Sequence, residues 1–126
     1  MKNDNHVWDN KLPTAQMLGR WQPWHEGHQK LFEEILKKTG QVNIMVRDVK
    51  GVDDNPFDFD TVKKNILDAL KDYKNRIKIT LVPNITNICY GRGVGYKIEE
   101  IVLDEKTQQI SATKIREQMR KEGKLK

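Results

Sequence analysis

The feature that most constrains this chain is a regular alternation of short apolar runs with segments of helical periodicity. The apolar runs at residues 14–19, 42–46 and 76–82 predict three strands. Between them, residues 28–38 and 59–73 carry apolar side chains on one face of an amphipathic helix. Strands that alternate with helices of this length favour right-handed βαβ units and a parallel sheet. The expected fold class is therefore α/β, with the second strand apolar enough to be covered on both faces.

The second half of the chain predicts three more elements. Two short strands are expected at residues 85–89 and 98–103, and Cys89 on the first of them is expected to be buried. The glycine-rich sequence Y-G-R-G-V-G-Y between them is typical of a loop or a tight turn. A last helix is expected at about residues 113–121, so the predicted order of elements is β-α-β-α-β-β-β-α.

The length of 126 residues suits one domain with a core. We expect this domain at residues 14–121, between a polar arm at residues 1–13 and a basic tail at residues 122–126. No apolar run approaches the roughly 20 residues that span a bilayer, and the polar start lacks the apolar region of a signal peptide. A single cysteine excludes an internal disulfide and a cysteine-based zinc site. These features predict a cytoplasmic protein that does not enter a membrane.

The net charge of +5 raises the question of nucleic-acid binding. Most of the excess positive charge follows Ser111, where no aromatic residue lies among the cations. This pattern is typical of a solvated helix face and tail, so nucleic acid is not an expected partner.

The loop after the first predicted strand contains His25-Glu26-Gly27-His28, where the first helix is expected to begin. Histidine offers donors for phosphate oxygens and titrates near neutral pH. A helix start favours an anion through its unpaired N–H groups and its dipole, and Gly27 leaves room for a phosphate to approach the backbone. His25 and His28 are therefore candidates for phosphate binding. The alternative is that His28 packs at the helix start while His25 faces solvent.

A second candidate segment, I-S-A-T-K-I-R at residues 110–116, places hydroxyls ahead of the last helix. Ser111 or Thr113 suits the N-cap. The planar fork of Arg116 can pair two phosphate oxygens at once. Thr113, Arg116 and the free N–H groups would then bind the outer phosphates of a nucleoside triphosphate, and the alternative is an ordinary capped helix.

Taken together, the two segments G-R-W-Q-P-W-H-E-G-H and I-S-A-T-K-I-R resemble the two signatures of the HxGH (cytidylyltransferase-like) nucleotidylyltransferase superfamily. Their order along the chain also fits that superfamily. Within it, the chain is most similar in pattern to archaeal-type nicotinamide mononucleotide adenylyltransferases. Residues 19–25 match their G-R-x-Q-P-x-H opening, and residues 55–57 match their N-P-F segment.

The region between Val82 and Ser111 departs from the pattern of those enzymes. It is shorter than theirs, and it contains Tyr90 and Tyr96 but neither Trp nor Phe. Nicotinamide mononucleotide is therefore not the favoured acceptor. The R-T-x-G sequence that precedes the last motif in glycerol- and choline-phosphate cytidylyltransferases is also missing, which favours ATP slightly over CTP.

The resemblance implies a single-domain, Rossmann-like parallel-sheet nucleotidylyltransferase fold and an enzyme that moves a nucleoside monophosphate group from a triphosphate to a small phosphorylated or otherwise anionic acceptor. Pyrophosphate would leave, and Mg²⁺ would be carried on the triphosphate rather than in a metal site of the protein. Two alternatives stay open: cytidylyl transfer to a phosphorylated alcohol or a phosphonate, and a nucleotide-binding module without turnover. The sequence leaves the acceptor and a homo-oligomeric state open.

The resemblance also implies roles for individual residues. His25 and His28 would stabilise the α-phosphoryl group, and Arg116 would hold the outer phosphates, so these three are the expected catalytic residues. The expected nucleotide-binding residues are Gly19, Arg20, Gly27, Ser111, Thr113, Arg116, Tyr90 and Arg92. The expected acceptor-binding residues are Trp24, Arg47 and Lys50.

Overall fold

The computed structural model describes residues 2, 4–93 and 95–125. Strands and helices alternate in its first part as the apolar pattern predicts. These elements are β1 (Ala15–Gly19), α1 (Glu26–Thr39), β2 (Val42–Arg47), α2 (Phe59–Ala69) and β3 (Ile77–Val82). A 3₁₀ segment, Lys71–Arg76, connects α2 to β3, and two further helices follow: α3 (Glu105–Gln108) and α4 (Ala112–Lys121).

The three strands form one parallel sheet in the order β1-β2-β3. Gly19 pairs with Val46, and Val46 pairs with Leu81, so the carboxyl ends of the three strands lie along one edge. The segments that follow the strands therefore begin beside one another. The α/β prediction is confirmed at the level of an open, all-parallel sheet with helices between its strands.

The core lies on one face of this sheet. Val42, Ile44 and Val46 of β2 are fully buried, while the residues that alternate with them are half-buried. Apolar side chains of both long helices, among them Phe32 of α1 and Ile66 of α2, belong to the same buried cluster. The expectation that β2 is covered on both faces is wrong, because α1 and α2 both pack on the same face.

The two strands expected after β3 do not form. Residues 85–89 and 98–103 are described throughout and contain neither strand nor helix. A strand needs a hydrogen-bonding neighbour, and the edge of β3 remains unpaired by either segment in the described structure. Without a second layer above it, Cys89 is exposed rather than buried, and Ile88, Ile98 and Val102 are exposed as well.

The helix boundaries also differ from those expected. α1 begins two residues early because His25 caps it, and α2 ends at Ala69, where the 3₁₀ segment takes over. The short helix α3 was not expected; Asp104 caps it by accepting a hydrogen bond of 2.7 Å from the backbone N–H of Thr107. Among the described residues, no helix combines the length and apolar character that crossing a membrane requires.

The expected arm and tail lie at the two ends of the described chain. The arm contacts the fold through Gln41, a fully buried side chain whose Nε2 donates to the carbonyl of Asp9 at 2.7 Å and to Thr14 at 2.6 Å. After α4, the backbone N–H of Lys124 donates to the carbonyl of Met119 at 2.8 Å. Three residues of these two segments, Met1, Asn3 and Lys126, lie outside the described residues.

A steric prediction arises at the end of β1. A Cβ atom on Gly19 would lie 2.6 Å from the ring of Trp21, which is buried and donates a hydrogen bond of 3.1 Å to the carbonyl of Met45. We expect Gly19→Ala to lower the free energy of unfolding by about 1–3 kcal/mol in urea titrations, because the ring has to move. The control is Gly91→Ala, where a Cβ meets nothing within 4 Å. Equal stability of the two variants would contradict this account.

Candidate active site

Three segments that are far apart in sequence meet at the carboxyl edge of the sheet, and Gln22 joins them. Its Oε1 accepts a hydrogen bond of 2.9 Å from the backbone N–H of Phe57, and its Nε2 donates to the carbonyl of the same residue at 3.0 Å. The backbone carbonyl of Gln22 accepts a hydrogen bond from Arg116 of α4. The loop after β1, the loop after β2 and the last helix therefore form one site.

The histidine pair forms a reciprocal cap at the start of α1. Nδ1 of His25 accepts hydrogen bonds from the backbone N–H groups of Gly27 at 3.0 Å and His28 at 3.4 Å. Nδ1 of His28 accepts a hydrogen bond of 3.2 Å from the backbone N–H of His25. The two rings stack with their centroids 3.6 Å apart. Such a capping box is normally built from Ser or Thr and from Glu or Gln, so two histidines here point to a role beyond capping.

The cap fixes where each imidazole carries its proton. A ring nitrogen that accepts a hydrogen bond is unprotonated, so the neutral rings of His25 and His28 carry their protons on Nε2. Neither Nε2 atom has a hydrogen-bond partner among the described residues. The N–H groups of Gly27 and His28, expected to be free for a phosphate, are already satisfied by His25. The two imidazole Nε2–H groups therefore remain available as donors at this helix start.

The surroundings of the pair keep both rings neutral. The ring of Trp21 meets that of His28 edge-on at 4.7 Å, and the ring of Trp24 lies 5.5 Å from it. Burial, together with the neighbouring His25, lowers the pKa of His28 to about 3. Burial also lowers the pKa of His25. At neutral pH the site therefore offers hydrogen-bond donors without positive charge on the histidines.

This shift makes stability depend on pH. In the unfolded chain His28 titrates near 6.5, so between pH 7.5 and 5 the unfolded state binds more protons than the folded state, and stability falls as the pH falls. We expect His28 alone to remove about 2 kcal/mol from the free energy of unfolding over this interval. The carboxyl groups of Asp54 and Asp104 have lowered pKa values and lose their contribution only in more acidic solution.

Urea unfolding of the wild type and of His28→Gln at both pH values checks this prediction. Glutamine is a usual residue at this capping position and does not titrate, so the variant should lose less stability on acidification. A wild-type free energy of unfolding that is the same at pH 7.5 and 5 would contradict the assignment of a buried, neutral His28.

The absence of a side chain at Gly27 leaves room for the ring of His25. A Cβ atom at this position would lie 2.9 Å from Cε1 of His25 and 3.6 Å from the carbonyl oxygen of Thr107. The absence of a side chain therefore lets the ring of His25 fold back over the first turn of α1.

Arg116, which the resemblance assigns to the outer phosphates, is buried, and each of its three side-chain nitrogens donates a hydrogen bond within the protein. It is only 5% exposed. Its Nε donates to Oδ2 of Asp54 at 2.8 Å, one Nη donates to the carbonyl of Gln22, and the other Nη donates to Oγ1 of Thr113 at 3.3 Å. Arg120 pairs with the same carboxylate at 2.6 Å. Hydrogen bonds from Arg120 and Arg116 hold the pKa of Asp54 well below its usual range.

The choice of N-cap for α4 is resolved in favour of Ser111. Its Oγ accepts a hydrogen bond of 3.4 Å from the backbone N–H of Lys114. Thr113 lies in the first turn and is exposed, so its hydroxyl stands between the solvent and Arg116.

The expected acceptor-binding residues fall into two groups. Arg47 and Lys50 line a small pocket at the carboxyl ends of β2 and β3. One Nη of Arg47 donates to Oδ1 of Asn84 at 2.7 Å, whereas its buried Nε has no partner among the described residues. Trp24 is half-buried beside the histidine pair instead and donates to Oε1 of Gln29 at 3.3 Å.

Three further candidates are exposed and separate from this cluster. Arg20, Tyr90 and Arg92 form no hydrogen bond or ring contact with the histidine pair in the described structure. The ring of Tyr90 instead meets that of Tyr96 edge-on at 6.0 Å. Their roles in nucleotide binding stay predictions.

The sequence did not single out Gln22, Asp54 or Arg120. Asp54 lies in a polar loop with other acidic residues, yet it pairs with two arginines. No spacing rule links positions as distant as 54 and 116. The sequence did contain a signal for Gln22, because this residue is the Gln of the G-R-x-Q-P-x-H match. In the structure its side chain forms two hydrogen bonds with the backbone of Phe57, which belongs to the N-P-F match.

The protein's own side chains offer no metal centre in the described part of the chain. No group of three or more His, Cys, Asp or Glu side chains is placed there to hold an ion.

Comparison with known proteins assigns no family to the chain. The sequence matches no protein-family model. It also has no match among curated proteins. The interpretation of this site therefore depends on its own residues and geometry.

Proposed function

We propose that this protein is a nucleotidylyltransferase. It moves a nucleoside monophosphate group, from ATP in preference to CTP, to a small anionic acceptor and releases pyrophosphate. The observation that carries the proposal is the capping box of His25 and His28, because it holds two Nε2–H donors side by side at a helix start. The two motif resemblances at residues 19–28 and 110–116 support the same activity.

The reaction is an in-line substitution at the α-phosphorus. An acceptor oxygen forms a bond to that phosphorus while its bond to the bridging oxygen breaks, and pyrophosphate leaves with the electron pair. An ionised phosphate acceptor has no proton to lose, so no general base is required. Charge increases on the α-phosphoryl oxygens, where preoriented donors stabilise the transition state. The neutral rings of His25 and His28 suit this task because the backbone already fixes their orientation.

The leaving pyrophosphate needs positive charge. Arg116 and Arg120 supply two guanidinium groups on one face of α4, and Thr113 adds a hydroxyl beside the first of them. Arginine binds phosphate oxygens through two parallel N–H groups. In the proposed reaction these groups hold the β- and γ-phosphates, and Mg²⁺ remains on the triphosphate as part of the substrate.

The acceptor is assigned to the pocket that contains Arg47 and Lys50. The buried Nε of Arg47 lacks a partner in the described structure, and an anionic group in the pocket would supply one.

Binding of triphosphates is the first test. The melting temperature is measured with each of the four nucleoside triphosphates at millimolar concentration, with and without Mg²⁺. We expect ATP to raise it more than the other triphosphates, and AMP to raise it little because it lacks the outer phosphates. A larger rise with CTP would favour the cytidylyltransferase alternative. The proposal fails if no triphosphate raises the melting temperature.

Release of pyrophosphate is the second test. A panel of small phosphorylated compounds and phosphonates is incubated with the protein, the preferred triphosphate and Mg²⁺, and pyrophosphate is measured by a coupled assay. We expect release to depend on one class of acceptor and to be nearly abolished in His28→Gln. Tight triphosphate binding with no release for any acceptor would instead favour the nucleotide-binding module.

A further inference from the structure

Two arginines of α4 already hold an anion, and that anion is a side chain of the protein. Nε of Arg116 donates to Oδ2 of Asp54 at 2.8 Å, and one Nη of Arg120 donates to Oδ1 at 2.6 Å. The other Nη of Arg120 reaches Oδ2 at 3.3 Å. Both carboxylate oxygens therefore occupy the N–H groups that a phosphate would need.

The position of Asp54 lets it leave without opening the core. It lies in the loop after β2, and its side chain is 42% exposed, whereas that of Arg116 is 6% exposed. Arg116 is held independently by the carbonyl of Gln22 and by Thr113. Movement of the loop would take the carboxylate away from both arginines while leaving Arg116 in place.

We propose that Asp54 is an internal competitor for the phosphate site: its carboxylate occupies Arg116 and Arg120 and has to leave before a triphosphate binds there. The inference rests on the proposed function, which assigns these arginines to the outer phosphates. With Asp54 in place the three side chains carry one net positive charge. Once Asp54 has left, two positive charges face the ligand.

This competition would make the site selective for highly charged anions. A singly charged anion is attracted to the two arginines no more strongly than the Asp54 carboxylate, so it does not displace that carboxylate. A polyphosphate carries several negative charges, so its attraction to the arginines is stronger than that of Asp54. The apparent Kd is the intrinsic Kd divided by the fraction of molecules in which Asp54 has left, so removal of the carboxylate should tighten binding.

The test uses inorganic tripolyphosphate as the probe and calorimetry on the full chain. We expect Asp54→Asn and Asp54→Ala to bind it roughly three- to tenfold more tightly than the wild type. Asparagine keeps an oxygen acceptor and loses only the charge, so it preserves part of the loop contact. The matched control is Asp60→Asn, an exposed carboxylate at the start of α2 that changes the net charge equally; its Kd should stay within about twofold of the wild type.

Binding by the Asp54 variants that equals that of Asp60→Asn, or is weaker than that of the wild type, would overturn the inference alone. Either result would indicate that Asp54 only positions Arg116. No binding of tripolyphosphate by any of the proteins would overturn the inference together with the proposed function. These two failures are distinguished by the wild-type titration.

A measurement on the wild type avoids any effect of substitution on folding. The ¹³C resonance of the Asp54 carboxylate is followed by NMR while tripolyphosphate is added. We expect it to move to the position of a solvent-exposed aspartate as the probe saturates the protein. A resonance that does not move at saturation would show that both arginines keep Asp54 when phosphate binds, and would overturn the inference.

Discussion

Replacing His28 by glutamine is expected to lower kcat for nucleotidyl transfer by about 10²–10³-fold, because the variant loses the imidazole Nε2–H that the cap and the stack with His25 hold in place, and no ring stacking orients the glutamine amide. Glutamine can still accept the backbone N–H of His25, as His28 does at 3.2 Å, so the first turn of α1 stays capped. Triphosphate Kd should change much less than kcat, since the ground-state phosphates keep the arginines of α4.

The matched variant is His25→Ser, which keeps a good N-cap and removes the other imidazole. It should also lower kcat by at least tenfold. The melting temperatures of both variants should stay close to that of the wild type, which separates a catalytic defect from a folding defect. If His28→Gln folds normally and turns over at the wild-type rate, the prediction is contradicted, and His28 only caps the helix.

Replacing Arg116 by methionine is expected to weaken triphosphate binding by at least tenfold and to lower the free energy of unfolding by about 2 kcal/mol. The stability loss arises because the buried carbonyl of Gln22 loses a charged donor and the three segments of the site lose a shared contact. Methionine fills much of the volume that arginine occupies at this position, so the change mainly removes the guanidinium group.

Arg120→Met provides the control for this prediction. Arg120 binds the same carboxylate from one turn further along α4, but its side chain is 38% exposed. Its loss should leave the urea midpoint nearly unchanged while it weakens triphosphate binding. Stability losses of equal size in the two variants would show that Arg116 does not connect the segments as described.

The elements that periodicity predicts are those that pack on the core. The apolar side chains of α1 and β2 form one buried cluster, and their spacing along the sequence records this burial. The segments at residues 85–89 and 98–103 have the apolar composition of strands, but composition does not specify a pairing partner. They remain outside the sheet, and most of their side chains are exposed, although Ile85, Ile101 and Leu103 are half-buried.

The sequence predicted which residues belong to the candidate site better than it predicted the contacts between them. Position after β1 and the helix start identified His25 and His28. The reciprocal cap between their rings depends on side-chain geometry that a sequence does not record. The packing of His28 among Trp21, Trp24 and His25 likewise depends on the fold.

The contacts of Arg116 were even less predictable from the sequence. Its residue type and its place in the first turns of α4 predict an anion-binding group. Only the fold brings it to Asp54, a carboxylate 62 positions away. Contacts between distant loops follow from the sheet topology, and no local pattern encodes them.

The hydrogen bond from Arg116 to Gln22 joins positions 94 residues apart, and this separation has a consequence for the order of folding. Closing so long a loop costs chain entropy that only a preformed framework can offset. The β1–α1–β2 unit, built from contacts between neighbouring elements, is the natural early framework, and α4 docks on it afterwards. The imidazole pair would therefore be in place before the guanidinium groups, and chains in which α4 has not yet docked would have little affinity for polyphosphate.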